Sequence, residues 1–105
     1  MSAPFKKLTE SQMERLALLL EELGEAQHAI GKIIRHGYES SHPQTCITNT
    51  VMLESELGDV IYSIKLMIEN GDINKDRVEE AIKSKQNRVK KYLHFSHKYP
   101  MLDLF

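Results

Sequence analysis

Apolar residues recur at helical spacing along three stretches of this chain, and polar, turn-forming segments separate them. The first stretch carries Leu16, Leu19, Leu20, Leu23, Ala26, Ile30, Ile33 and Ile34, a three-and-four spacing that lines one side of a helix. Thr9-Glu10-Ser11-Gln12 has the form of a capping box, so this helix should start near Thr9. Arg35 and His36 suit a helix C-terminus, and Gly37 suits the residue after it. The pattern predicts a first helix from about Glu10 to His36.

Gly37 to Gln44 is polar and reads as a loop that could move. A second helix begins between Pro43 and Thr48 and reaches Asn70, with Gly71 as its stop. Its core stripe is Leu53, Leu57, Val60, Ile61, Ile64 and Ile68. Asn74 is a good N-cap for a third helix over about Lys75 to Leu93, with Val78, Ala81, Ile82, Val89 and Tyr92 inward. The tail from His94 holds Phe95, Tyr99, Met101, Leu102, Leu104 and Phe105, and is apolar enough to need a surface to pack on. No segment reads as a strand, a repeat or low complexity.

These elements predict an all-α fold, an antiparallel helical bundle. Residues 1–105 fit a single domain, with its core over about 10–93 and a tail over 94–105. Three amphipathic helices leave a four-helix bundle incomplete, so oligomerisation is expected to complete it. The net charge of −1 gives no field toward nucleic acid or an anionic membrane. No apolar run approaches the ~20 residues of a membrane span, and Met1 to Lys7 has no apolar core of signal-peptide length. The single cysteine, Cys46, excludes an internal disulfide and reads as a small semi-buried residue. A cytoplasmic location follows as the expectation.

Two acidic clusters stand out against this frame: Glu21-Glu22-Leu23-Gly24-Glu25 and Glu54-Ser55-Glu56-Leu57-Gly58-Asp59. Three-residue spacing places Glu22 with Glu25 on one helix face and Glu56 with Asp59 on another. Acidic residues on helices are usually solvated, but these border the apolar stripes. A half-buried carboxylate needs a partner, and the neighbouring turns supply too few cations for all four. A hard divalent cation, which prefers oxygen ligands, is the simpler solution. Gly24 and Gly58 cost helix propensity and could allow a close approach of helices or a ligand. Glu25-x-x-His28 has the spacing of carboxylate-bridged di-iron bundles, but such sites need that motif twice and the second cluster has no histidine. His28 is expected at the site rim or in solvent.

The Glu-Glu-x-x-Glu of residues 21–25, followed by the Glu-x-x-Asp of residues 56–59, resembles the signature of the MazG-like all-α NTP pyrophosphohydrolases, notably the small phage and bacterial members. A further acid often precedes the second motif in that family; here the position is Ser55, with Glu54 one residue away. The separation of the two halves is near the long end of the family's range. Lys83-Ser84-Lys85-Gln86-Asn87 looks like the family's Lys-x-x-x-Asn, with Lys90 on the same face, and Lys32-x-x-Arg35-x-Gly37 resembles the ending of its first helix. The resemblance covers about residues 10–93.

It implies a helical bundle assembled as a homodimer or a dimer of dimers. It implies an enzyme that cleaves a nucleoside triphosphate to the monophosphate and pyrophosphate with Mg²⁺, for which Mn²⁺ could substitute. Glu22, Glu25, Glu56 and Asp59 would hold the metal, and Glu22 or Glu25 could accept the proton of the attacking water. Lys83, Asn87, Lys90, Lys32 and Arg35 would contact the substrate. Related alternatives are phosphoribosyl-ATP pyrophosphohydrolase and a dimeric dUTPase-like activity. An alternative of another class is a non-catalytic helical interaction module that keeps the acids only as surface charge.

Overall fold

The computed structural model describes residues 6–96 and 98–100, which form three α-helices: α1 (Glu10–His36), α2 (Asn49–Glu69) and α3 (Lys75–Val89). Each start is set by a side-chain cap. Thr9 Oγ1 accepts the Gln12 amide at 3.1 Å and Gln12 Oε1 accepts the Thr9 amide at 2.9 Å, a closed capping box. Thr48 caps α2 by accepting the Val51 amide, and Asn74 caps α3 by accepting the Arg77 amide. Gly37 ends α1 at φ 88°, in the region glycine enters at least cost, and its amide still donates to the Ile33 carbonyl. α3 stops at Val89, four residues short of the expected Leu93. The amides of Lys91, Tyr92 and Leu93 instead turn back onto the carbonyls of Arg88 and Val89. Tyr92 and Leu93 are exposed, so no packing extends the helix through them.

α1 and α2 form an antiparallel pair held at both ends. At one end, Arg15 near the start of α1 clamps Asp72 just after α2, with Nη2 donating to Oδ1 at 3.0 Å. At the other, the Asn49 amide donates to the Ser40 carbonyl at 2.8 Å, and the Thr50 amide to the Tyr38 carbonyl at 3.0 Å. Between the clamps the shielded positions of α1 include Leu19, Glu22, Ala26, Ala29 and Ile33, and those of α2 include Leu53, Glu56, Val60, Ser63 and Met67, with Ile61, Ile64 and Ile68 also half-buried beside them. Both sets follow a three-and-four spacing, so they form one seam. Small residues at Ala26, Ala29 and Ser63 let the helices come close.

The broad apolar arc of α1 therefore serves two faces. Leu19, Ala26 and Ile33 enter the seam, but Leu16, Leu20, Leu23, Ile30 and Ile34, expected in the core, stay exposed. With Met13 and Gln27 they form a second stripe, at 13, 16, 20, 23, 27, 30 and 34, again at three-and-four spacing. In α2, Leu57 is likewise exposed rather than buried.

The expected bundle reduces, within one chain, to this hairpin. α3 makes at most peripheral contact with α1 and α2. Val78, Ile82 and Val89 are only half-buried, and Ala81 and Tyr92 are exposed. The chain accordingly exposes 8811 Å². A compact monomer of its mass would expose roughly 6,000 Å². Its radius of gyration is 17.2 Å, against about 13 Å for a compact domain of this length.

Part of the tail folds back. Tyr99 sits beneath the Lys90 ammonium, 5.5 Å from the ring centroid, and with Pro100 lines a small cavity against Ile82 and Val89. Phe95 is exposed, and Met101, Leu102, Leu104 and Phe105 lie outside the described residues. Cys46 is exposed, not semi-buried, and holds φ at 60°. No helix among the described residues is long and apolar enough to cross a membrane.

Candidate metal centre

The α1–α2 seam carries two acidic positions among its apolar and small ones, Glu22 and Glu56. Antiparallel packing sets them at the same level, and the i+3 partner on each helix, Glu25 and Asp59, lies beside them. One carboxylate oxygen from each of the four lies within 4.8 Å of all the others. Glu22 and Glu56 are half-buried, whereas Glu25 and Asp59 are exposed. The cluster thus has a shielded floor and an open rim.

Electrostatics at the floor are unfavourable. Glu22 Oε2 and Glu56 Oε2 are shielded from solvent and accept no hydrogen bond. Desolvation, reinforced by the charges of Glu25, Asp59 and Glu21, pushes the Glu22 carboxyl above its ordinary range. Glu56 is pushed the same way, first by its side-chain pairing with Glu25, then by desolvation and by the charges of Glu25, Asp59 and Glu22. Arg15 is committed to Asp72 at the far end of the hairpin. A site of four oxygen donors at this spacing, with two shielded oxygens lacking a donor, fits a hard divalent cation.

Gly24 and Gly58 are not explained by the seam. A Cβ at either would meet nothing within 4 Å, so both face open space and neither serves the approach of α1 to α2. Ser63, deep in the seam, donates to the Asp59 carbonyl at 3.0 Å, which satisfies its hydroxyl without touching a carboxylate.

A cavity of about 280 Å³ opens on the cluster, lined by Glu25, His28, Ala29, Lys32, Asn49, Met52 and Glu56. His28 is thus at the rim. A second cavity, of about 500 Å³, adjoins it and shares Lys32, Asn49 and Met52. Arg35 lines this second cavity. Lys83 and Asn87 on α3 and Lys90 just after it are exposed and line neither cavity. Within one chain, then, the four acids come together with Lys32 and Arg35 nearby, and Lys83, Asn87 and Lys90 stand apart. Sequence reasoning passed over Asn49 and Met52 as lining residues. Register alone sets Asn49 on the face of Glu56, seven residues before it, and Met52 beside Asp59, but it does not say that a cavity opens there.

Residues 10–94 match the family model of the MazG nucleotide pyrophosphohydrolase domain. The chain belongs to this family. No match was found among curated proteins or among solved structures. Family membership makes a hydrolase acting on nucleotides the coarse functional assignment, and the all-helical fold agrees with it.

Proposed function

We propose that this MazG-family protein is a Mg²⁺-dependent pyrophosphohydrolase that cleaves an NTP or dNTP to the monophosphate and pyrophosphate. One observation carries the reading: four carboxylate oxygens from α1 and α2 within 4.8 Å of each other, two of the acids having a shielded oxygen without a donor. Acids kept only as surface charge would turn every oxygen to water.

In this reading Glu22, Glu25, Glu56 and Asp59 hold Mg²⁺. The bound ion would supply charge neutralisation for phosphate oxygens and would acidify a coordinated water. The protein's own contribution is position and proton transfer. Glu22 or Glu25 accepts the proton of the attacking water. Lys32, at the junction of the two cavities, offsets charge on the polyphosphate, and Arg35 contacts the substrate farther along, in the second cavity. Phosphoryl transfer depends mainly on such placement and charge neutralisation.

The enzyme acts as a homodimer or a dimer of dimers. The excess exposed surface and the second apolar stripe on α1 support this reading. Glu22 and Glu25 flank Leu23 of that stripe, so a second copy docked there would border the acidic site. Lys83, Asn87 and Lys90 would then contact substrate from the partner's α3. The test is pyrophosphate release from NTPs and dNTPs with Mg²⁺, repeated with Glu56→Gln. Metal-dependent release that the variant loses supports the reading, and equal turnover by the variant overturns it.

A further inference from the structure

The larger cavity lies away from the acids, under a loop that the metal centre does not need. Its walls come from the end of α1 (Arg35 and His36), the loop (His42, Pro43 and Ile47) and the start of α2 (Met52). We propose that this cavity is the nucleoside subsite, and that the loop over residues 38–48 selects the base and sugar. This rests on the pyrophosphohydrolase reading, and it specifies which end of the substrate goes where.

Three observations support it. The first is continuity. Lys32, Asn49 and Met52 line both cavities, so a ligand phosphate at the acidic cluster can extend past Lys32 into the larger space. The second is lining chemistry. A polyphosphate needs cations and amide donors on every side. This cavity keeps Lys32 at its junction with the acids and the Ser40, Ser41 and Thr45 hydroxyls on its wall, and sets Pro43, Ile47 and Met52 against the rings of His36 and His42 and the planar guanidinium of Arg35. Apolar and flat groups suit the faces of a heterocycle, with a few polar groups for its edge. Its volume, about 500 Å³, falls in the range of small-ligand pockets.

The third is that the loop is built, not slack. His42 and Ile47 pair through backbone, the His42 amide donating to the Ile47 carbonyl at 3.1 Å. The Cys46 amide donates to the His42 carbonyl at 2.9 Å. Ser41 and Thr48 form an antiparallel bridge. Asn49 Nδ2 donates to the Gly37 carbonyl at 3.0 Å, and Thr50 Oγ1 to the Tyr38 carbonyl at 3.0 Å. Within this frame Cys46 holds φ at 60°, a conformation that non-glycine residues adopt only when their surroundings impose it. His42 Nδ1 accepts the Gln44 amide at 3.1 Å, which fixes the ring and leaves the proton of the neutral imidazole on Nε2. The fixed ring is one of the groups lining the cavity.

Two measurements test the proposal. Ile47→Ala and His42→Ala should alter the ratio of kcat/KM between purine and pyrimidine nucleotides by about tenfold, since pocket contacts of this kind discriminate on that scale. Their Mg²⁺ requirement should match that of the wild-type enzyme. In parallel, the imidazole NMR signals of His36 and His42 should shift on adding nucleoside monophosphates and stay unmoved by inorganic pyrophosphate. A uniform loss over all nucleotides, an unchanged ratio in both variants, or a response to pyrophosphate alone would overturn the assignment. Should the wild-type protein release no pyrophosphate from any nucleotide, the enzymatic reading fails. The NMR titration still decides the pocket on its own.

Discussion

Truncating two side chains of the exposed α1 stripe should dissolve the proposed homo-oligomer without unfolding the subunit. Leu20 is 73% and Ile34 80% exposed in the single chain, so neither supports its own hairpin. Leu20→Ala together with Ile34→Ala deletes three carbons at each site. At about 0.8 kcal/mol per buried CH₂, each truncation removes about 2 kcal/mol of association once covered. A two-fold interface counts each site twice, which gives about 8 kcal/mol per dimer. Even half-covered, the four side chains contribute about 4 kcal/mol, nearly a thousandfold in dissociation constant. Alanine favours helix, so helical content should hold. Sedimentation velocity over a concentration series reads the result. Wild-type protein should sediment as a dimer or larger at micromolar concentration, and the double variant mainly as a monomer. A monomeric wild type, or a double variant that associates as tightly as wild type, would refute the reasoning.

Glu56→Gln should abolish most turnover while keeping the circular dichroism of the wild type, because the amide keeps the shape of a ligand and loses its charge. Glu22 and Glu56 have raised folded values, so their contribution to metal-free stability is present below the ordinary glutamate range. It is lost as pH rises through those raised values. Metal-free protein should therefore melt higher in mildly acidic than in neutral buffer, with Mg²⁺ and Glu56→Gln each reducing the difference. Asp72 shows the opposite sign: hydrogen bonding and charge from Arg15 depress its carboxyl, so its contribution is present above the ordinary aspartate range. Wild type should thus melt above Asp72→Asn at pH 7, and the gap should close below about pH 4. Lys83→Ala should raise KM for nucleotide more than it weakens Mg²⁺ binding; lost metal affinity at unchanged KM would contradict the role given to α3.

Local signals in the sequence placed the helices well. The Thr9–Gln12 box, the Asn74 cap and Gly37 each fixed a boundary through hydrogen bonds or a φ that only a few neighbouring residues decide. α3 was overestimated because its last turn depends on packing, and Tyr92 and Leu93 find none in this chain. The same limit applies to α1. A stripe as wide as Leu16 to Ile34 says that the helix is amphipathic, and it cannot say whether one neighbour or two will cover it. The four acids could be grouped from spacing alone because two i,i+3 pairs on adjacent antiparallel helices have few ways to meet. The loop cavity could not, since Arg35, His42 and Ile47 come together through backbone pairing that spans Gly37 to Thr50.

The most direct test of the central claim is product analysis with purified protein, a panel of NTPs and dNTPs, and Mg²⁺ present or chelated. Pyrophosphate and nucleoside monophosphate should appear in equal amounts from at least one nucleotide, only with the metal, and restored when Mg²⁺ is returned. Release of orthophosphate in place of pyrophosphate, turnover that survives chelation, or no hydrolysis across the panel would contradict the account.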